Sequence, residues 1–204
     1  LITGSINLED VADADIVVEA VYENMDLKKE IFTKLDGICK ADAILATNSS
    51  ALNIDEIASV TKRPESVIGL HFFSPANVMK LLEIVRGEKT SIPVLATSVA
   101  LAKTIDKIGA VVGVCPGFAG NRMFGQRNRE IQKILLQGAT TAQLDKVIFE
   151  FGFPMGPFVL SDLVGLDIGW SKETSTGETL RDRLCEAGRL GQKSGAGYYK
   201  YEEG

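Results

Sequence analysis

Apolar residues along the first half of this chain alternate between short β-branched runs and stretches at helical spacing. Asp15-Ile16-Val17-Val18-Glu19-Ala20-Val21 is a run that stops at polar Tyr22-Glu23-Asn24, and it reads as a strand. From Met25 the period changes. Leu27, Ile31, Leu35 and Ile38 fall at helical spacing with Lys28, Lys29, Glu30 and Lys34 between them, which predicts a helix. Ala43 to Thr47 predicts a second strand, ending in Asn48-Ser49-Ser50, and Ile54 to Val60 a short helix begun by Asn53 or Asp55. Val67 to Leu70 is a strand leading to His71. The apolar run from Val78 to Val85 carries one carboxylate, Glu83, with the turn residues Ser74-Pro75-Ala76-Asn77 ahead of it. Thr90 to Ile108 reads as a helix, with Ser91 and Pro93 as start signals, and Ala110 to Val114 as the last strand.

After Pro116-Gly117 the pattern is helical throughout. Phe118 to Gln137 predicts one helix. Leu144, Val147, Ile148 and Phe151 form the face of a second, behind Thr140 and Gln143 at capping-box spacing. Gly152 to Pro157 interrupts, Phe158 to Ile168 resumes, Ser171 to Glu178 is a polar loop, and Leu180 to Ala187 is a last short helix. The fold class is therefore α/β, an open and largely parallel sheet over residues 1–115, followed by an all-α part over residues 116–204. Open sheets of this kind bind ligands beyond the carboxyl ends of their strands. Glu23, Ser50 and His71 each lie at or just past such an end.

Composition narrows the choice of partner. A net charge of −5 gives no basic patch for nucleic acid, and no apolar run is long enough to span a bilayer. Cys39, Cys115 and Cys185 are odd in number and widely spaced, which suggests reduced thiols. One histidine, and no cysteine pair at ligand spacing, argue against a metal site. The chain starts at Leu1 rather than Met, so a piece of a longer protein is expected.

The single histidine draws attention to Glu83. A lone carboxylate inside an apolar strand is costly unless something pairs with it, and neighbouring strands lie only about 5 Å apart. A carboxylate that orients an imidazole and stabilises its protonated form makes a general base near neutral pH. Spacing alone slightly favours a satisfied core histidine and a Glu side chain reaching solvent. Ser50 fits a helix cap, Asn121 a cap or surface amide, and Lys28 and Lys193 solvated charges.

Several separate motifs then agree in order. Gly69-Leu70-His71-Phe72-Phe73-Ser74-Pro75, Pro116-Gly117-Phe118 with Asn121-Arg122, and Pro154-Met155-Gly156-Pro157-Phe158 resemble the L-3-hydroxyacyl-CoA dehydrogenase family. Val18-Glu19-Ala20-Val21 with Glu23-Asn24, and Thr47-Asn48-Ser49-Ser50, fit the same pattern. Gly188 to Tyr199, together with Ser74, is similar to the bifunctional hydratase–dehydrogenase members. The resemblance implies a Rossmann-type sheet that is incomplete here. The family opens with a β-α-β unit whose Gly-x-Gly-x-x-Gly loop holds the NAD pyrophosphate, and no such loop occurs in this sequence, so weak NAD binding by this chain alone is expected.

The resemblance also implies roles. His71 matches the base that takes the 3-hydroxyl proton, Glu83 the carboxylate that orients it, and Ser50 and Asn121 polar residues that hold the substrate oxygen and nicotinamide. Ala20, Glu23, Lys28 and Ser74 match the lining of the nicotinamide end of the cofactor, and Lys193 a lysine near it. The implied activity is NAD-dependent oxidation of L-3-hydroxyacyl-CoA to 3-ketoacyl-CoA in fatty-acid β-oxidation. The substrate would be an acyl-CoA thioester, and the partners a fused hydratase domain or a second copy of the chain. The compartment would be the cytoplasm in a bacterium or the peroxisome in a eukaryote, without secretion. A short-chain 3-hydroxybutyryl-CoA dehydrogenase and a non-catalytic assembly domain of the same fold are the alternatives.

Overall fold

The computed structural model describes residues 2–202, and Leu1, Glu203 and Gly204 lie outside the described residues. The chain divides into two compact units, Leu1–Phe124 and Gly125–Gly204. In the first, a five-stranded sheet runs β1 (Ile16–Glu19), β2 (Ile44–Thr47), β3 (Val67–Phe72), β4 (Leu81–Arg86), β5 (Ile108–Gly113), in that spatial order. β1, β2 and β3 are parallel, β3 and β4 antiparallel, and β4 and β5 parallel. Helices α1 (Met25–Ile38), α2 (Ile54–Ala58) and α3 (Ile92–Thr104) connect them.

Two apolar layers follow from the alternation of side chains along each strand. Leu45, Val67 and Val85 join Phe32 and Leu35 of α1 and Ile54 and Ile57 of α2. Their neighbours Ile44, Ala46, Ile68 and Ile84 join Val94 and Ala102 of α3 instead. Each such fully buried Leu, Ile or Phe contributes roughly 1.5–3 kcal/mol relative to exposure. Gly69 is required on the first face, because a Cβ there would sit 2.7 Å from Val85 Cβ.

Local chemistry starts the helices. Asn24 caps α1 by accepting from Leu27 N–H, and Asn53 caps α2 by accepting from Asp55 and Glu56 N–H. Ser91 occupies the cap position of α3 without a side-chain bond, and Pro93 provides the first-turn signal. The helix of residues 92–104 is shorter at both ends than the 90–108 expected, because Ile108 is taken into β5.

α4 (Gly120–Leu136) begins in the first unit, and the second unit adds α5 (Thr141–Glu150), α6 (Pro157–Val164) and α7 (Leu180–Glu186). Thr140 and Gln143 form the expected capping box of α5, and Thr179 with Asp182 forms another on α7. Two buried carboxylates bind this unit together. Asp145 accepts from Phe158 N–H (2.8 Å), Val159 N–H (3.2 Å) and Tyr199 hydroxyl (2.6 Å). Asp162 accepts from Tyr198 N–H (2.8 Å), Tyr199 N–H (2.9 Å) and Tyr201 hydroxyl (2.9 Å).

Candidate active site

Antiparallel pairing of β3 with β4 places His71 directly opposite Glu83. The two side chains meet, with His71 Nδ1 2.8 Å from Glu83 Oε2. Both are buried, at 4% and 1% exposure, so the alternative of a Glu side chain reaching solvent is excluded. The other carboxylate oxygen, Oε1, accepts from the N–H groups of Ala119 (3.0 Å) and Gly120 (2.8 Å) at the start of α4. The imidazole lies between two rings, with Phe73 at 4.4 Å and Phe118 at 5.9 Å between centroids. An ionised carboxylate only accepts hydrogen bonds. Against it, Nδ1 carries the proton, and Nε2 remains as the basic nitrogen.

A second cluster lies at the ends of β1 and β2. Glu23 Oε1 accepts from Ser49 hydroxyl (2.7 Å) and from the N–H groups of Ser50 (2.8 Å) and Ala51 (3.2 Å). Glu23 therefore shapes the loop that displays exposed Ser50. Asn48 Oδ1 accepts from Phe72 N–H at 3.0 Å and ties this loop to the end of β3. Asn121 Nδ2 donates to Ser50 O at 3.4 Å. Ser50, His71, Glu83 and Asn121 thus all belong to the first unit. The sequence pattern puts Asn121 in the helical part, but the bonds from the start of α4 to Glu83 and Ser50 group it with the sheet.

The lysines differ from solvated charges in different degrees. Lys28 is fully buried on the first turn of α1. Its ammonium donates to Glu19 Oε1 (2.8 Å) and Oε2 (3.1 Å), and Glu23 Oε2 is 3.7 Å away. Glu19 also accepts from Thr47 hydroxyl and Val21 N–H. The reading of Lys28 as a surface charge is overturned. Its side chain turns toward the sheet, where the Glu19 carboxylate offsets its charge. Lys193 is half exposed in the second unit, paired with Asp167 at 2.5 Å. That pair holds the Asp167 carboxyl below its ordinary range, the hydrogen bond from Lys193 being the main cause. Ser74 is exposed just beyond β3.

At the carboxyl end of β1, Ala20, Val21, Tyr22 and Leu27 line an open pocket of about 400 Å³. Its walls are mostly apolar. Among the described residues no group of His, Cys, Asp and Glu is arranged to hold a metal ion, and no helix is long and apolar enough to cross a membrane. The bonds of Asn48, Ser49, Ala119 and Gly120 are not legible in the sequence, because hydrogen bonds across folded segments leave no periodic signal.

Comparison with known proteins decides the family. Residues 1–115 match the 3-hydroxyacyl-CoA dehydrogenase NAD-binding domain, and residues 117–201 match the C-terminal domain of the same family. The chain belongs to the 3-hydroxyacyl-CoA dehydrogenase family. It is 46% identical to a peroxisomal bifunctional enzyme of Cavia porcellus, over 98% of this chain and 30% of that protein. It is 43% identical to a fatty acid oxidation complex subunit alpha of Psychrobacter cryohalolentis, over 97% of this chain and 29% of that protein. The chain therefore spans about a third of the length of these curated relatives. Among solved structures, the 3-hydroxybutyryl-CoA dehydrogenase of Escherichia coli superimposes with a TM-score of 0.87 at 35% identity, covering 98% of this chain and 45% of that one. The dehydrogenase part of C. elegans multifunctional enzyme 1 gives 0.72 at 36% identity, covering 97% and 47%.

Proposed function

We propose that this chain forms part of an NAD-dependent dehydrogenase that oxidises L-3-hydroxyacyl-CoA thioesters to 3-ketoacyl-CoA in fatty-acid β-oxidation. The observation that carries the reading is the buried His71–Glu83 pair at the carboxyl end of a parallel strand, with Nε2 left to accept a proton. His71 Nε2 takes the proton of the 3-hydroxyl while the hydrogen on carbon 3 departs as hydride. NAD supplies the hydride acceptor when bound. Glu83 stabilises the imidazolium that forms and keeps the ring in its basic tautomer. Ser50 and Asn121, joined through the Ser50 carbonyl, are assigned to the substrate oxygen. Ala20, Glu23 and Ser74 are assigned to the nicotinamide end. Lys28 is assigned there through Glu23. Residues 1–115 act as the dinucleotide-binding domain and 116–204 as the helical dehydrogenase domain.

The peroxisomal bifunctional relatives favour a second activity in the whole protein, which we assign to a fused hydratase, and we assign the whole protein to the peroxisome if eukaryotic or the cytoplasm if bacterial. A second reading, 3-hydroxybutyryl-CoA dehydrogenase, is favoured by the high structural similarity to that enzyme. The test is reduction of NAD by the protein as it occurs, with L-3-hydroxyacyl-CoA substrates of short and long chain. Turnover on long chains supports the first reading, and turnover on the four-carbon substrate alone supports the second. No NAD reduction with any of them would overturn both.

A further inference from the structure

The two oxygens of Glu83 have separate partners, and that division has a consequence for the base. Oε1 takes the N–H groups of Ala119, just ahead of α4, and of Gly120, its first residue, and Oε2 takes the imidazole. α4 is seventeen residues long, so its first N–H groups are unpaired within the helix and carry its positive dipole end. Backbone N–H groups donate and never accept. Whatever side chain occupies position 83 must therefore present an acceptor to them, and only the remaining atom can face His71.

We propose that the N–H groups of Ala119 and Gly120 are positioning groups, which fix the orientation of Glu83 and through it the tautomer of His71. Both act through the Glu83 carboxylate, to which they donate. In the reaction proposed above, on which the catalytic part of this inference rests, they keep Nε2 free of a proton. The loop from Pro116 to Gly120 is thus part of the proton-transfer apparatus, although none of its side chains carries a charge. Phe118 has φ 45° within this loop, and Gly117 φ 72°, a left-handed turn that aims the two N–H groups back at β4. Asn48, which accepts from Phe72 N–H next to His71, is uncharged, and Glu83 is the carboxylate that meets the ring.

Glu83→Gln tests this without a change of shape. If the helix start fixes the side chain, the introduced amide must give its oxygen to Ala119 and Gly120 and its NH₂ to His71. Nδ1 then becomes an acceptor and the proton moves to Nε2. If the helix start is incidental, the amide turns over, offers its oxygen to Nδ1–H, and the tautomer stays. In the whole protein, nitrogen–proton correlation spectra of the imidazole, with the His71 signals assigned by their loss in His71→Gln, read the answer without activity. The expected result is an Nε2–H imidazole in Glu83→Gln against Nδ1–H in the parent. An unchanged Nδ1–H tautomer in the folded variant would overturn the proposal.

A second pair of variants removes the N–H itself. Proline suits the first position of a helix, so Gly120→Pro removes one donor and sets its ring Cδ where that hydrogen pointed at Glu83 Oε1, which forces the carboxylate out of place. Gly120→Ala is its control. Both add a Cβ, which would meet the Phe73 ring tip at 2.9 Å, but only alanine retains the N–H. In the whole protein, Gly120→Pro should turn over about 10- to 100-fold more slowly than Gly120→Ala at similar KM, the loss typical of a misplaced or unpaired charged group. Equal kcat in the two would overturn the proposal. A tautomer switch in a protein that never reduces NAD would instead overturn the functional reading and uphold the positioning one.

Discussion

Replacing Lys28 with methionine removes a charge from the interior while keeping the length of the side chain. Lys28 is fully buried, and Glu19 is 5% exposed, so methionine would leave a carboxylate with only Thr47 hydroxyl and Val21 N–H. Breaking a buried pair by removing one partner costs about 3–5 kcal/mol, set against a total stability of about 5–15 kcal/mol. With an m value of about 2 kcal/mol/M in urea, the midpoint of the first unit should fall by about 1.5–2.5 M. The chain has two compact units, so the probe must belong to the first. Ring resonances of His71 serve, whereas Trp170, the only tryptophan, reports on the second. Glu19→Gln in the Lys28→Met background removes the stranded charge and should recover more than half of the loss. A loss below about 1 kcal/mol in the single variant, or a double variant no more stable than the single, would refute the claim that this pair is a buried electrostatic unit.

Asn121→Ala should reduce kcat of the whole protein while shifting stability by no more than about 0.5 kcal/mol, since the side chain is exposed and makes one long bond; full turnover would remove it from the site. Tyr199 and Tyr201 are each raised to about 12, by burial first and then by donating to Asp145 and Asp162 respectively. Their neutral forms therefore add stability that is complete below pH of about 10 and is lost as pH rises toward about 12. Tyr198 is also raised, by burial first, so ultraviolet titration of the phenols should show three of them titrating late, and normal titration of all tyrosines in the folded chain would contradict this. Gly197 lies against the Asp162 carboxylate, which occupies the space a Cβ would need. Gly197→Ala should lower the stability of the second unit by about 1–3 kcal/mol, read by Trp170 fluorescence on heating, and an unchanged melting temperature would count against it.

Periodicity alone places every strand and α-helix here to within a few residues, because each element must show one apolar face, and capping residues mark where it starts. Asn53 and Thr140 are legible in this way. The register that sets His71 opposite Glu83 is only suggested, since two apolar runs joined by a turn can pair in several alignments. Tertiary structure decided the rest. It buried Lys28, which the composition of its helix would place in water, because Glu19 on β1 stands nine residues earlier in the chain and next to it in space. It brought Ala119 and Gly120 to Glu83 across 36 and 37 residues. A backbone N–H has no identity in a sequence, being common to almost every residue, so only the folded chain reveals which of them holds a carboxylate in place.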